Sequence, residues 1–363
     1  MEEKKIYHVI GLMSGSSLDG LDIAYCKITT GDIWKYKIIH AKSYPYNNEE
    51  KKFLFELPEK QKEELAKLDG LFAFTYGLMV LEFKKEFHFR KIDLIASHGH
   101  TVLHEPKNQI TIQLGSGQTI ATVTNKPVIC NFREADVRAG GQGAPLVPIC
   151  DEYFFSDYHA CLNIGGIANI SYREKGQRIG FDICAANQLL NALAGQINLP
   201  YDNKGAIAKK GNLNEKLYYF LNDYDYFFRK HPKSLDNKWI QGTFITLLND
   251  ADCSIEDKLR TVTEHIALQI SKVILNQIKT QNIKTKKYRL LITGGGAYNT
   301  FLIKRIEKLS GLKLKLPDDE TIQFKEAFAM CLMGILRIEN KSNFLPSVTG
   351  AKHAVSGGDI FYP

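Results

Sequence analysis

The apolar and polar positions near the start of the chain predict two strands joined by a tight turn. Residues 6–12 form an apolar run, and after the turn Leu21, Ile23 and Tyr25 alternate with other side chains, as on a strand with one buried face. The turn carries no bulky side chain before Leu18, so a ligand can approach its backbone closely. The pattern therefore places a candidate binding loop between the first two strands.

Strands and helices continue to alternate over the first half of the chain. Residues 61–87 have apolar side chains at helical spacing, and residues 92–97 form a short apolar run typical of a buried strand. Two further short strands are predicted near residues 110–114 and 128–132. The polar residues 97–101 come at the end of the buried strand, which is where α/β proteins place their chemistry.

A second strand–turn–strand unit begins about 150 residues after the first, as in an internal repeat. Residues 159–164 and 167–172 are predicted as strands, with the pair Gly165-Gly166 forming the turn between them. A third strand at 178–181 and a helix at 187–197 follow. Each half thus opens with a glycine turn between strands, and two such turns facing each other would clamp a nucleotide.

The long polar segment at residues 131–148 is rich in glycine, and we interpret it as the junction between the two halves. The last third is mostly helical, with helical apolar spacing at residues 244–248 and 261–278. A strand at 288–292 then runs into a glycine turn at 293–297 and a further helix. A strand that ends in glycines before a helix suits an anion or a nucleotide, and a turn kept small for packing fits the same residues.

The first turn has the chemistry of a phosphate-binding loop. Backbone N–H groups and the hydroxyls of Ser14, Ser16 and Ser17 can surround an anion. Asp19 and Asp22 provide carboxylates where a hydrated magnesium ion would lie beside that anion. The turn lacks the lysine and the following helix of a Walker loop. An ordinary polar hairpin tip fits the same residues.

Two carboxylates and a group of histidines are candidates for chemistry. Asp182 is predicted at a strand end among apolar or small neighbours, where loss of water would suit it as a general base; a helix cap is the alternative. Glu326 shares a helical face with Met330 and Met333, so its carboxylate is expected to point inward and to need a partner. That partner is either a sugar hydroxyl or the dipole of the first helical turn. The clustered histidines favour contact with a sugar or a phosphate over a metal site, and are His98, His100 and His104.

Composition limits the class of protein. The 363 residues suffice for two domains, and the net charge of +7 suits an anionic small substrate. The sequence shows no apolar segment typical of a signal peptide or a membrane span, and no basic stripe with interleaved aromatic residues as in nucleic-acid binding. The seven cysteines form no CxxC pair, which predicts reduced thiols in a cytoplasmic protein.

Taken together and in order, the motifs resemble those of anhydro-N-acetylmuramic acid kinases along nearly the whole chain. The resemblance implies an α/β, two-lobed actin-like ATPase (ribonuclease H-like) fold with mixed sheets flanked by helices and a cleft between the lobes. The lobes would span residues 1–130 with 345–363, and 131–344. The matching segments are residues 11–22, 97–99, 140–148, 163–169, 294–299, 325–327 and 345–351.

The resemblance also implies a reaction and a set of site residues. The enzyme would use ATP and Mg²⁺ to open a 1,6-anhydro amino sugar with water and to phosphorylate O6, and it would form a homodimer. Asp182 would be the catalytic base, and Asp19 would lie nearest the metal. The sugar would be held by Ser97, His98, Thr101, Arg133 and Glu326. ATP would contact Gly11, Leu12, Met13, Ser14, Gly15, Ser16, Ser17, Leu18, Gly165, Gly166, Gly294, Gly295, Gly296 and Ala297.

The sequence departs from the family pattern near the predicted sugar pocket. The usual Asp-Thr-Gly-Pro-Gly-Asn is Asp182-Ile183-Cys184-Ala185-Ala186-Asn187, and His100 stands where glutamine is usual. Asp236-Asn237 replaces a common Gly-Arg. The first two changes touch the proposed sugar pocket and bear on the choice of sugar more than on the type of reaction. Two alternatives stay open, namely a kinase of the same fold for another amino sugar and a non-catalytic nucleotide-binding module.

Overall fold

The computed structural model describes residues 3–15 and 19–363, which form two compact units. Unit 1 comprises residues 1–154 and 324–363, and unit 2 comprises residues 155–323. Both boundaries predicted from the sequence, at 130/131 and at 344/345, lie inside unit 1.

Unit 1 contains a mixed sheet in which β1 pairs antiparallel with β2 and parallel with β4. The strand order is β11-β6-β4-β1-β2-β3, and β5 pairs with β4 beside this path. The predicted first hairpin is therefore confirmed. The buried strand predicted at 92–97 is also present, but it runs over Leu94–Glu105, so the expectation that residues 97–101 lie at its end is wrong. The strands are β1 (Ile6–Ser14), β2 (Gly20–Thr29), β3 (Lys35–Pro45), β4 (Leu94–Glu105), β5 (Ile110–Leu114), β6 (Val128–Cys130) and β11 (Asp359–Phe361).

The helices of unit 1 include the predicted long helix, which runs over Lys62–Glu86. The interpretation of residues 131–148 as a polar junction without helices is wrong in part, because Phe132–Arg138 is helical. Phe132, Asp136 and Val137 are buried on that helix, which gives it an anchoring face despite its polar sequence. The helices are α1 (Asn48–Glu56), α2 (Lys62–Glu86), α3 (Gly117–Thr124), α4 (Phe132–Arg138), α5 (Pro148–Phe154), α13 (Asp319–Ile338, in unit 1 from Phe324) and α14 (Pro346–Thr349).

Unit 2 is built on a second mixed sheet with the strand order β10-β7-β8-β9. β7 and β8 form the second predicted hairpin, and β9 extends to Ala185, four residues beyond the predicted strand end. The strands are β7 (Ala160–Ile164), β8 (Ile167–Glu174), β9 (Gln177–Ala185) and β10 (Leu290–Thr293). The helices are α6 (Asn187–Gly195), α7 (Glu215–Asn222), α8 (Asp225–Phe228), α9 (Asn237–Ile240), α10 (Thr246–Asp250), α11 (Ile255–Thr280) and α12 (Thr300–Ser310).

The α/β class with mixed sheets flanked by helices is thus confirmed, and each unit has an apolar core of its own. Six of the seven cysteines are buried. Over residues 3–15 and 19–363, every helix is too short or too polar to cross a bilayer.

Helix α13 lies directly on β1, at a point where β1 has no side chain. A Cβ added to Gly11 would lie 1.9 Å from the carbonyl oxygen of Ala327 and 2.8 Å from Sγ of Cys331. Real Cβ atoms do not approach other atoms so closely, so a glycine is required here for helix–strand packing.

We predict that Gly11→Ala lowers the free energy of unfolding by about 1–3 kcal/mol or more, because α13 must move away from β1 to make room for the methyl group. Urea titration would measure the loss. Gly70→Ala is the matched control, since its Cβ would meet nothing within 4 Å, and it should leave stability unchanged or raise it by up to about 1 kcal/mol. Equal effects of the two substitutions would contradict the packing argument.

Candidate active site

One polar side chain of the first hairpin, that of Ser14, is buried in unit 1 and makes hydrogen bonds there. The hydroxyl of Ser14 is buried and lies 2.9 Å from the hydroxyl of Tyr46 and 3.0 Å from Nδ1 of His100. Burial lowers the pKa of His100 to about 4, so the imidazole is neutral at neutral pH. The Ser14 side chain is thus hydrogen-bonded within the core of unit 1. The predicted loop residues Ser16, Ser17 and Leu18 lie outside the described residues.

His98 and Arg133 are joined directly in unit 1. Nε and Nη2 of Arg133 donate to Nε2 of His98 at 3.1 and 2.9 Å, and Nδ1 of His98 donates to the carbonyl of Gly99 at 2.9 Å. An imidazole that accepts on one nitrogen is neutral. Burial and the charge of Arg133 lower the pKa of His98 to about 3, in agreement with this tautomer. His98 therefore holds Arg133, and both of its ring nitrogens are already used.

Gln113 completes this cluster and was missed by sequence reasoning. Its Nε2 donates to the carbonyl of His98 at 2.6 Å and to Oγ1 of Thr101 at 3.4 Å. Gln113 on β5 pairs with Thr101 on β4. The pairing of two strands brings the residues together, and no local pattern in the sequence signals that contact.

The glycine-rich segment after α4 is held by a buried acid that sequence reasoning also missed. Asp136 accepts from the N–H of Gly143 at 2.7 Å and from Oγ1 of Thr349 at 2.8 Å. Nη1 of Arg133 donates to the carbonyl of Gly143 at 2.7 Å. Asp136 thus fixes the loop that in turn helps to orient the Arg133 guanidinium.

The expectation that the Glu326 carboxylate points inward is wrong. Glu326 is exposed, although Lys325, Ala327 and Met330 on the same helix are buried. Because α13 is buried on nearly all sides in this region, helical spacing does not identify one apolar face. The helix begins at Asp319, so Glu326 also lies beyond the first turn, where the helix dipole acts.

Glu326 remains accessible to a ligand while the protein around it disfavours its charge. Desolvation by the surrounding protein, and next the charge of Asp22, raise the pKa of Glu326, whereas Arg133 and Lys325 oppose this shift. A hydroxyl donor would stabilise the carboxylate. Glu326 is therefore suited to accept a hydrogen bond from a polar ligand.

Asp182 lies within β9 of unit 2, three residues before the strand end. One carboxylate oxygen, Oδ2, accepts from the N–H of Leu235 at 2.9 Å, and the backbone carbonyl accepts from the Tyr226 hydroxyl at 2.6 Å. Burial raises the pKa of the Asp182 carboxyl, and the Leu235 N–H opposes the shift. Asp182 is not a helix cap, because α6 begins at Asn187 with Ala186 in the capping position.

A cleft of about 560 Å³ adjoins Asp182 in unit 2, because Tyr226 and Leu235 belong to its walls. The other lining residues are polar or aromatic, and four of them are charged. They are Asp223, Tyr224, Asp225, Arg229, Ser234, Asp236 and Trp239.

The glycines of the two turns in unit 2 fall into two kinds. A Cβ at Gly165 would find no atom nearer than 3.5 Å, and one at Gly166 none nearer than 4.0 Å. Gly295 is likewise open, with Asn187 at 3.7 Å. By contrast, a Cβ at Gly294 would lie 2.6 Å from Oδ1 of Asn163 and one at Gly296 would lie 2.2 Å from Cγ2 of Ile164, so packing explains these two. Ala297 is buried next to them.

Asn187, at the start of α6, holds the Gly165-Gly166 turn in place. Its side-chain amide donates to the carbonyl of Ile164 at 3.2 Å and its backbone N–H donates to that of Gly165 at 3.1 Å. The N–H of Ala186 donates to the carbonyl of Gly166 at 2.8 Å. Asn187 and Asp182 are the two residues of the altered motif that match the family pattern, and this match was the available signal for the role of Asn187.

The acids of the first hairpin are the candidates for metal binding in unit 1. Asp19 is exposed, and Asp22 is half-buried and accepts a hydrogen bond from the Ser43 hydroxyl. Burial, and to a smaller extent the charge of Asp19, raise the pKa of Asp22. Within the described residues, no group of three or more histidines, cysteines and acids forms a metal site. Magnesium is commonly held by one or two carboxylates together with substrate phosphates, and this donor set fits that mode.

Residues 7–363 match the family model described as anhydro-N-acetylmuramic acid kinase. The chain belongs to the anhydro-N-acetylmuramic acid kinase family. The match covers both units, and it therefore includes the Asp182 site and the Arg133 cluster.

Curated relatives named anhydro-N-acetylmuramic acid kinase are similar over almost their full length. The protein of Francisella tularensis subsp. novicida is 33% identical over 376 residues, which covers 97% of this chain and 98% of the relative. The protein of Haemophilus influenzae is 34% identical over 390 residues, which covers 99% of each. The departures at residues 183–186 therefore occur in a chain whose overall organisation is that of the family.

Solved structures with a related course of the chain share little sequence. An activator of 2-hydroxyisocaproyl-CoA dehydratase from Clostridium difficile is 12% identical, with a TM-score of 0.41 over 90% of this chain and 93% of the other. A Schistosoma mansoni hexokinase complexed with glucose is 10% identical, with a TM-score of 0.37 over 90% of this chain and 85% of the other. At these values neither structure bears on the substrate of this protein.

The neutral state of His98 predicts a pH dependence of stability. The folded His98 takes up a proton only near pH 3, whereas the unfolded chain takes it up near pH 6.5. Its contribution to stability is thus complete above pH 6.5 and is lost as the pH falls toward 3. His98→Gln keeps an acceptor for Arg133 but does not titrate, and it should flatten the fall of the urea midpoint in this window. His353→Gln, at an exposed site, is the control and should not; equal slopes for both variants would refute the assignment.

Proposed function

We propose that this protein is an ATP- and Mg²⁺-dependent kinase that opens 1,6-anhydro-N-acetylmuramic acid with water and phosphorylates O6, giving N-acetylmuramate 6-phosphate. The observation that carries the proposal is the Asp182 carboxylate, which is oriented by the Leu235 N–H and has a raised pKa beside a cleft. Such a group is suited to general-base catalysis. The proposed setting is recycling of cell-wall sugar in the cytoplasm by a homodimer.

Asp182 accepts a proton from the water molecule that attacks C1 of the sugar. As the new C1–O bond forms, the bond from C1 to the bridging O6 breaks and its electron pair goes to O6. O6 then receives the phosphoryl group, and ADP leaves. When bound, ATP would supply that group, and Mg²⁺ held beside Asp19 would neutralise charge on the phosphates.

The sugar is proposed to contact the cluster of unit 1. Arg133 presents a fixed guanidinium because His98 and the Gly143 carbonyl accept from it, and Glu326 presents an accessible carboxylate. The pair provides a donor and an acceptor for a sugar with hydroxyl and carboxylate groups. Ser97 and Thr101 are kept as further candidates on β4, and His98 acts by holding Arg133.

The open glycines support phosphate binding. The backbone of Gly165, Gly166 and Gly295 has room for a ligand where a side chain would otherwise lie. We propose that these residues contact ATP, together with the backbone of residues 11–15 and the packed turn residues Gly294, Gly296 and Ala297. Asp19 is the proposed carboxylate beside the metal.

Asp182→Asn should reduce turnover of the anhydro sugar by about 10²- to 10⁴-fold, because the amide still accepts from Leu235 but cannot take a proton from water. The assay uses ATP, Mg²⁺ and 1,6-anhydro-N-acetylmuramic acid in ¹⁸O-labelled water, and the label is expected at the C1 oxygen of the phosphorylated product. Asp157→Asn, an exposed acid of the same unit, is the control. Near-normal turnover by Asp182→Asn would refute the base, and ATP consumption without labelled product would favour a kinase for another amino sugar.

The two kinds of glycine predict opposite phenotypes for the same substitution. Gly166→Ala should fold normally, because its Cβ meets no atom nearer than 4.0 Å, but should raise the KM for ATP roughly tenfold by crowding the phosphates. Gly296→Ala should lower the free energy of unfolding by about 1–3 kcal/mol through its clash with Ile164. Steady-state kinetics and urea titration separate the two effects, and an unchanged KM in Gly166→Ala would argue against phosphate contact at this turn.

A further inference from the structure

One hydrogen bond between side chains in unit 2 connects the second glycine turn with the segment that orients Asp182. Nε2 of Gln188, near the start of α6, donates to Oδ1 of Asn237, the first residue of α9, at 3.1 Å. The two residues lie 49 positions apart in the sequence, so the fold and not a local pattern brings them together. We call this contact the Gln188–Asn237 bridge.

The Gln188 end of the bridge lies against the glycine turn. The backbone N–H of Gln188 donates to the carbonyl of Gly166 at 3.2 Å. The Cβ and Cγ atoms of Gln188 are the nearest atoms to a Cβ built on Gly166, each at 4.0 Å. A ligand that fixes the Gly166 turn therefore also fixes Gln188.

The Asn237 end of the bridge continues a segment that makes two hydrogen bonds with Asp182. The carbonyl of Lys233 accepts from the N–H of Asp182 at 3.2 Å, and the N–H of Leu235 donates to Oδ2 of Asp182 at 2.9 Å. Asn237 follows Leu235 by two residues. Residues 233–237 therefore hold the carboxylate, and the bridge holds the end of these residues.

Stability alone does not account for a glutamine at position 188. The Oε1 atom of Gln188 is buried and accepts from no group in the described part of the chain. A buried acceptor without a partner costs free energy, and this cost offsets what a single side-chain hydrogen bond contributes. Leucine would fill a similar volume without that cost, so the glutamine is explained by what it connects.

The bridge depends on a departure from the family pattern. Asn237 stands where an arginine is common. An arginine side chain carries donors and no acceptor, so it could not accept from Nε2 of Gln188. The bridge is therefore a feature of this chain that the family pattern does not supply.

We propose that Gln188 is a positioning residue that couples the second glycine turn to Asp182 through the Gln188–Asn237 bridge. A nucleotide that contacts the turn restricts its motion, and the bridge extends this restriction to residues 233–237. The Asp182 carboxylate is then held in place for the attacking water. The inference rests on the proposed function for its chemistry, whereas the coupling itself involves only nucleotide binding and hydrogen bonds within unit 2.

Hydrogen exchange in the full-length protein tests the coupling without the sugar. A saturating non-hydrolysable ATP analogue with Mg²⁺ should slow exchange of the Leu235 N–H at least about threefold, and Gln188→Leu should abolish this slowing. Gln196→Leu is the matched control and should respond like the unaltered protein, because Gln196 follows α6 and donates to Asn249 in an equivalent pair at 3.0 Å. No slowing in the unaltered protein, or equal slowing in folded Gln188→Leu, would overturn the proposal.

Steady-state kinetics with ATP, Mg²⁺ and 1,6-anhydro-N-acetylmuramic acid test the consequence for the base. Gln188→Leu and Asn237→Ala should each lower kcat about 3- to 10-fold, the range that one side-chain hydrogen bond supports. The KM for ATP should stay within about twofold, because Asn187 still holds the turn. The double variant should lose no more than either single variant, since both remove the same contact. A raised KM for ATP with unchanged kcat would confine Gln188 to nucleotide binding and refute the coupling.

A rescue variant separates positioning from a merely structural role. Gln188→Asn alone shortens the side chain and should break the bridge, whereas Gln188→Asn with Asn237→Gln restores the combined length and should return kcat to that of the unaltered protein. Urea midpoints should be the same for all these variants. A double variant as slow as Gln188→Asn would contradict the proposal. If the unaltered protein shows the slowed Leu235 exchange but does not turn over the sugar, the proposed reaction fails while the coupling stands.

Discussion

The contact between Gly11 and the carbonyl of Ala327 is the constraint on which the site in unit 1 depends. Without a side chain at position 11, α13 rests on β1. At Gly334 the helix also approaches β4 closely, since a Cβ there would lie 2.8 Å from that of Ala96. Buried Lys325, paired with Asp151, fixes the same turn of the helix. The exposed Glu326 is next to it in sequence, so core packing determines where this carboxylate stands.

Glycine in a turn has two physical meanings, and only the structure separates them. Gly294 and Gly296 leave no room for a Cβ because backbone or side-chain atoms of the same unit already fill the space. Gly165, Gly166 and Gly295 have room for one, so internal packing does not account for them. Both kinds lie in turns that look alike in the sequence. The evidence for a ligand is therefore carried by the open glycines.

Local patterns predicted the elements well, because alternation and helical spacing depend on neighbours in the sequence. Both hairpins and the long helices α2 and α11 follow from them. The contacts that orient the site residues are non-local: Gln113 reaches Thr101 through strand pairing, and Asp136 reaches Thr349 across unit 1. Helical spacing failed for Glu326, because α13 is enclosed on most sides between Phe324 and Leu336 and tertiary packing leaves Glu326 exposed there.

The charge balance around Arg133 in unit 1 depends on a neutral His98. A protonated His98 would repel Arg133, whereas the neutral ring accepts two of its hydrogen bonds and leaves its positive charge in place. Burial lowers the pKa of Arg133 to about 10, which still leaves it charged at neutral pH, and the charge of Glu326 opposes this shift. The negative charge of Asp22 in turn disfavours the ionised form of the Glu326 carboxyl and raises its pKa. A ligand whose hydroxyls donate hydrogen bonds to Glu326 would stabilise its carboxylate. A cation beside Asp22 would offset the repulsion between Asp22 and Glu326.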